Sequence, residues 1–94
     1  MADLLDEEEV QQRLDELGDW ELEDDQIQKI FEFDDFPSAV QFVSDVAKLA
    51  ERYNHHPDID IRYNRVRLVL TTHSEGGLTA LDFDLAADIE QSIV

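Results

Sequence analysis

The sequence predicts an α+β fold, a four-stranded antiparallel sheet with three helices packed on one face, in the order αββαββα. Three observations carry this. Two stretches alternate apolar and polar residues on either side of a short turn, the pattern of a β-hairpin. Three others space their apolar residues as a helix does. The alternation of hairpins and helices then gives four strands one sheet, whose apolar side the helices cover. At 94 residues, the chain has the length of one small domain, 1–94, with no internal linker or repeat.

The first helix has a readable start and stop. Asp6 caps it, and Glu7, Glu8 and Glu9 favour its positive N-terminal end. Val10, Leu14 and Leu17 share one face, and Gly18 suits the residue past the end. Two short strands follow. Trp20 and Leu22 alternate with charged residues, Asp24-Asp25 supplies a turn, and Ile27, Phe31 and Phe33 then share one parity. Lys29 interrupts that apolar face, and Ile30 is an apolar exception on the other.

Pro37 belongs in the first turn of the second helix. Its expected core stripe is Val40, Val43, Val46, Ala47, Ala50 and Tyr53. It ends soon after Tyr53, because His56 precedes Pro57 and a residue before proline is pushed to extended geometry.

In the second hairpin, Ile59, Ile61 and Tyr63 alternate with Asp60 and Arg62, and Val66, Leu68 and Leu70 with Arg67 and Val69. A two-residue loop at Asn64-Arg65 predicts Tyr63 opposite Val66, Ile61 opposite Leu68 and Ile59 opposite Leu70. Every apolar residue then opposes an apolar one. Extending this ladder sets His56 opposite His73. The last helix starts after Glu75-Gly76-Gly77, with Thr79 and Asp82 spaced as a capping box. Leu81, Leu85, Ile89 and Ile93 continue at helical spacing. With Ile30 and Val69 on the sheet's outer face, they supply more apolar surface than one small core needs, which predicts an oligomer.

Composition narrows the function. Apolar residues make up 43% of the chain and cysteines are absent, which excludes disulfides and thiolate metal sites. No apolar run is long enough to cross a membrane and no leader pattern opens the chain, so a cytoplasmic location is expected. Seven Lys and Arg against 24 Asp and Glu give a formal net charge of −17. Such a surface repels phosphate backbones and argues against direct nucleic-acid binding. The acids are spread along a chain with structured apolar spacing. That suits a folded protein adapted to high salt, where self-repulsion is screened, better than a disordered one.

The chemistry points to three histidines. His55 and His56 follow the second helix, and His73 follows the last strand. Imidazoles gathered at one end of a hairpin form a candidate acid–base site, because they exchange protons near neutral pH. Three histidines also suit zinc. For either use the local backbone must depart from strand geometry, since adjacent residues of a strand point to opposite faces. No helical His-Glu motif supports a metal, so metal-free acid–base work ranks first. Asp82 reads on its own as a helix cap, Glu51 as a solvated residue one turn before His55, and Trp20 as a core anchor. Gly76-Gly77 is a loop signal, not a phosphate loop.

Glu51-Arg52-Tyr53-Asn54-His55-His56-Pro57 resembles the signature of pterin-4a-carbinolamine dehydratases. Tyr63-Asn64-Arg65-Val66, Thr71-Thr72-His73, Gly77-Leu78-Thr79, Asp82 and Leu85-Ala86 follow in the family's order. Upstream, Trp20-Glu21-Leu22, Phe31-Glu32-Phe33 and Phe36 are similar to the family's N-terminal half. The resemblance runs from about Leu17 to Ile93. It implies the fold derived above and a hydro-lyase that dehydrates 4a-hydroxytetrahydropterin to quinonoid dihydropterin in tetrahydrobiopterin recycling, with neither cofactor nor metal. It further implies His55, His56 and His73 as catalytic residues, His55 and His73 moving protons while His56 positions the pterin. Glu51, Pro57 and Asp82 are expected to bind the substrate, and a homodimer or homotetramer is the expected assembly. The competing readings are a non-catalytic dimerisation or interaction module on the same fold, and a zinc-dependent hydrolase using the same histidines.

Overall fold

The computed structural model describes residues 3–93. Its elements are α1 (Glu7–Leu17), β1 (Glu21–Glu23), β2 (Gln26–Glu32), α2 (Phe36–Tyr53), β3 (Asp58–Arg62), β4 (Arg65–Leu70), a 3₁₀ turn (His73–Glu75) and α3 (Ala80–Ser92). The order αββαββα is the expected one. The strands form one antiparallel sheet in the order β1-β2-β4-β3, so β2 and β4, one from each hairpin, pair at its centre.

Local chemistry sets the helix ends. Asp6 accepts from the Glu9 N–H while the Glu9 side chain accepts from the Asp6 N–H, a closed capping box, and Gly18 ends α1 at φ 101°. Asp35 caps α2 through the Ser38 N–H, and the Ser38 side chain together with that N–H holds its carboxyl below its ordinary value. Asn54 terminates α2 in the left-handed conformation, a role that its short polar side chain tolerates.

Ile27, Phe31, Val66, Leu68 and Leu70 are buried on the sheet face toward the helices. Trp20 is a core anchor, as expected. Its ring meets Phe31 edge-on at 6.0 Å, and Phe31 and Phe33 lie 4.8 and 4.9 Å from Phe42 of α2. Lys29 is accommodated within the apolar face because its ammonium pairs with Glu90 of α3 and lies over the Phe31 ring. Glu90 also accepts from Trp20 Nε1 at 2.9 Å. One carboxylate thus fastens α3 to the first hairpin.

The structure corrects three expectations. The first concerns the register of the second hairpin. Arg62 faces Arg65, Ile61 faces Val66 and Ile59 faces Leu68, so the turn residues are Tyr63 and Asn64. Tyr63, not Asn64, takes the positive φ, 53°. The slip is by two residues, which keeps every side chain on its face, so apolar matching does not distinguish the registers. The pairing ends at Asp58–Val69, and the ladder does not carry His56 to His73.

The second correction is to α2. Ala39, Phe42, Val46 and Ala50 are buried, while Val40 and Ala47 are exposed. The apolar arc is broad, and the large Phe42 ring, tilted against Phe31 and Phe33, decides its rotation. The third is to the surplus apolar surface. Leu85, Ile89 and Val69 are buried within this one chain, leaving Ile30 and Ile93 exposed. Other exposed large apolar side chains include Phe36 and Val40 on α2 and Ile59 and Ile61 on β3.

Candidate active site

The site begins where α2 ends. The Asn54 N–H bonds back to the Ala50 and Glu51 carbonyls, and the His55 N–H reaches the Ala50 carbonyl at 3.1 Å. This wrap of the chain, followed by Pro57, fixes the backbone on both sides of the two imidazoles and sends them to different partners.

His55 turns inward. Its Nε2 lies 2.5 Å from Asp82 Oδ1, and its side chain is 11% exposed. Asp82 occupies the first turn of α3 and is fully buried. Its other oxygen accepts from the Thr79 N–H at 2.9 Å and from Thr72 Oγ1 at 2.8 Å. The Thr72 and Thr79 hydroxyl oxygens are themselves 2.8 Å apart. Among the described residues, no buried side-chain nitrogen or oxygen lacks a partner, so this polar cluster satisfies its own hydrogen bonds.

A carboxylate accepts and cannot donate, so the Asp82 contact assigns the hydrogen to His55 Nε2. In the neutral ring that leaves the Nδ1 lone pair to take a proton, and in the charged ring Nδ1–H to give one.

His56 turns outward, with Nε2 2.6 Å from Glu51 Oε2 one helical turn back. Both side chains are more than half exposed, so this contact contributes little to stability. Pro57 is half-buried. His73 opens the 3₁₀ turn and is exposed. It lines a cleft of about 330 Å³ with Asp24, Asp25, Gln26, Thr71, Gly76 and Gly77. Neither of the other histidines lines that cleft.

The structure therefore joins His55 to Asp82 and His56 to Glu51, and sets His73 beside a cleft that neither of them lines. Among the described residues, no three His, Asp or Glu side chains are spaced to hold a metal ion. Asp82, expected to bind substrate, is both the cap of the sequence reading and the partner of His55, and both its oxygens are engaged.

Sequence reasoning placed Thr79 in a capping box with Asp82 but missed the Thr72 hydroxyl as a donor to that carboxylate. Thr72 shares its parity with Leu68 and Leu70, so the alternation marked it as an inward-facing polar residue. The same reasoning read Tyr53 as part of the α2 apolar stripe and missed that its hydroxyl donates to Asp88 of α3. That bond, burial and the nearby charges of Asp88 and Asp84, opposed by Arg52, push the phenol up to about 12.

The family model described as pterin 4 alpha carbinolamine dehydratase matches residues 3–92. The chain belongs to the pterin-4a-carbinolamine dehydratase family. A relative from Roseiflexus castenholzii, provisionally named a dehydratase of this family, is 52% identical over 99% of this chain and 100% of its own length. Another, from Chloroflexus aurantiacus and named in the same way, is 55% identical over 93% of this chain and 94% of its own. The crystal structure of a transcriptional coactivator/pterin dehydratase from Brucella Melitensis covers 93% of this chain and 95% of its own, with 38% identity and a TM-score of 0.89. A pterin dehydratase-like RuBisCO assembly factor of the alpha-carboxysome shares the fold, with a TM-score of 0.62 at 20% identity over 77% of this chain and 83% of its own. His55-His56-Pro57, Thr72-His73 and Asp82 all lie within the matched span.

Proposed function

We propose that this chain dehydrates a 4a-hydroxytetrahydropterin to quinonoid dihydropterin by histidine acid–base catalysis. The observation that carries the reading is His55, an imidazole held through Nε2 by a fully buried carboxylate, and we assign its Nδ1 to the substrate. Family membership supplies the substrate class.

The reaction breaks the C4a–oxygen bond. A proton goes to the departing hydroxyl, which leaves as water, and a ring N–H proton is lost as the quinonoid double bonds form. One group gives a proton and one takes a proton, so no net charge accumulates. Two imidazoles working near neutral pH suit both transfers. We assign one to His55 on its contact with Asp82, and the other to His73 on the resemblance of Thr71-Thr72-His73 to the family's pattern. His56, kept in place by Glu51 and open to solvent, positions the pterin beside Pro57. Asp82 acts on the substrate through His55, by fixing which ring nitrogen faces the reaction.

Steady-state dehydration kinetics test this. His55→Ala and His73→Ala are each expected to lower kcat by roughly 10²–10⁴, while His56→Ala chiefly raises KM. Activity should survive exhaustive chelation. His73 is exposed and supports no core packing, so its removal leaves melting unchanged. Wild-type turnover in folded His55→Ala and His73→Ala would refute the assignment, and loss of activity on chelation would favour the zinc hydrolase.

A further inference from the structure

We infer that Thr72 is a positioning residue whose hydroxyl, itself braced by Thr79, sets how strongly Asp82 holds the His55 proton. The donors and acceptors in the cluster fix its direction. Asp82 Oδ2 accepts from Thr72 Oγ1 and from the Thr79 N–H, and Oδ1 meets His55 Nε2. A carboxylate donates nothing, so the single Thr72 hydroxyl proton goes to Asp82. The 2.8 Å contact between the two hydroxyls must then be made by the Thr79 proton. The order is Thr79 O–H to Thr72 O–H to Asp82, which receives His55 Nε2–H from the other side.

Every member before the imidazole is buried: Thr72 is 5% exposed, Thr79 and Asp82 not at all. In such surroundings hydrogen bonds polarise one another, and a donor to a carboxylate withdraws charge from it. Capping alone does not require this chain. The Thr79 N–H already satisfies the cap through Asp82, and Thr72 lies outside α3, in the isolated bridge to Gly77 that follows β4. A valine at 72 would keep the same inward-facing shape. The hydroxyl matters only for what it does to Asp82, and through Asp82 to His55.

Thr72→Val and Thr72→Ser separate tuning from packing. Without the Thr72 donor, the Asp82 charge is less compensated and holds the protonated imidazole more firmly. In Thr72→Val the pH midpoint of the His55 ring resonances, followed by NMR on the free protein, should rise by about half a unit or more. The limb of the kcat/KM profile that His55 sets should move with it. A fall in kcat of roughly tenfold is expected, smaller than the loss from removing the imidazole. Thr72→Ser retains the donor and should restore the wild-type midpoint, even if losing the methyl lowers the melting temperature.

The inference is overturned if Thr72→Val leaves the His55 midpoint in place. It is equally overturned if Thr72→Ser shifts that midpoint as far as Thr72→Val, which would make packing the cause. The kinetic arm rests on the proposed dehydratase reading, but the NMR arm does not. A wild-type protein without dehydratase activity would therefore defeat that reading while the tuning of His55 remained measurable.

Discussion

Replacing Asp82 with asparagine changes one atom in a fully buried cluster, and the structure fixes how the new amide must sit. The Oδ2 position receives the Thr79 N–H at 2.9 Å. A backbone N–H can only donate, so the amide oxygen of Asp82→Asn is forced there. Its NH₂ group then faces His55 Nε2, which must accept in place of donating. The neutral imidazole is driven to the opposite tautomer, with hydrogen on Nδ1, and the lone pair that would face the substrate is lost. The hydrogen-bond count is preserved, so the stability cost is the weakening of charge-assisted bonds, about 1–2 kcal/mol. In a chain of this size that lowers Tm by about 4–16 °C. Asp82→Ala would strand three donors at about 1–3 kcal/mol each. That is comparable to a domain's whole stability of about 5–15 kcal/mol, so alanine risks reporting only unfolding. For Asp82→Asn, kcat should fall by roughly 10²–10⁴, the range for a lost acid or base. The assay pairs dehydration kinetics with ¹⁵N NMR of the His55 ring nitrogens. A folded Asp82→Asn protein that keeps its proton on Nε2 and turns over at the wild-type rate would refute the reasoning.

Two further outcomes follow from charge. The phenol of Tyr53 is raised to about 12 by its bond to Asp88, burial and the surrounding carboxylates. A raised phenol stabilises the fold fully below its ordinary value of 10.0 and loses that contribution as pH rises through about 12. Near-ultraviolet titration should show that Tyr53→Phe removes a component near 12, and that Asp88→Asn moves it down. Removal of a component near 10 by Tyr53→Phe would contradict this. Separately, repulsion at a formal net charge of −17 should make the melting temperature rise between low and molar salt, as screening takes hold. An unchanged midpoint would count against salt adaptation.

Much of the fold is legible in the sequence because its signals are local. Asp6 with Glu9 and Thr79 with Asp82 mark where helices start, and the alternation around Asp24-Asp25 marks the first hairpin. The register of the second hairpin was not legible, since hydrophobic alternation has a period of two and an even slip moves no residue off its face. A tyrosine at positive φ is also an uncommon choice for a turn, so Asn64 was the natural but incorrect candidate for that conformation. At the site, all three histidines could be named from the sequence, but not their partners. The contact of His55 with Asp82 depends on the end of α2 packing beside the start of α3, which no short window encodes. Thr72 was half-visible, a polar residue in step with Leu68 and Leu70, and its meaning came only with the carboxylate beside it.

The pair of His55 and Asp82 bridges two helix ends, one ring just past the last turn of α2 and one carboxylate in the first turn of α3. Further along the same seam the Tyr53 hydroxyl spans from α2 to Asp88. The separation of the proton-handling groups is therefore a gauge of how these helices are seated. A hydrogen bond weakens within a few tenths of an ångström, whereas apolar packing tolerates such displacements more gently. Small shifts between α2 and α3, from a mildly mispacked side chain or a solvent change, would register in the geometry of His55 before they registered in cooperative unfolding. In this architecture the geometry of the site follows the seating of α2 on α3, so residues that never touch a ligand can still alter it.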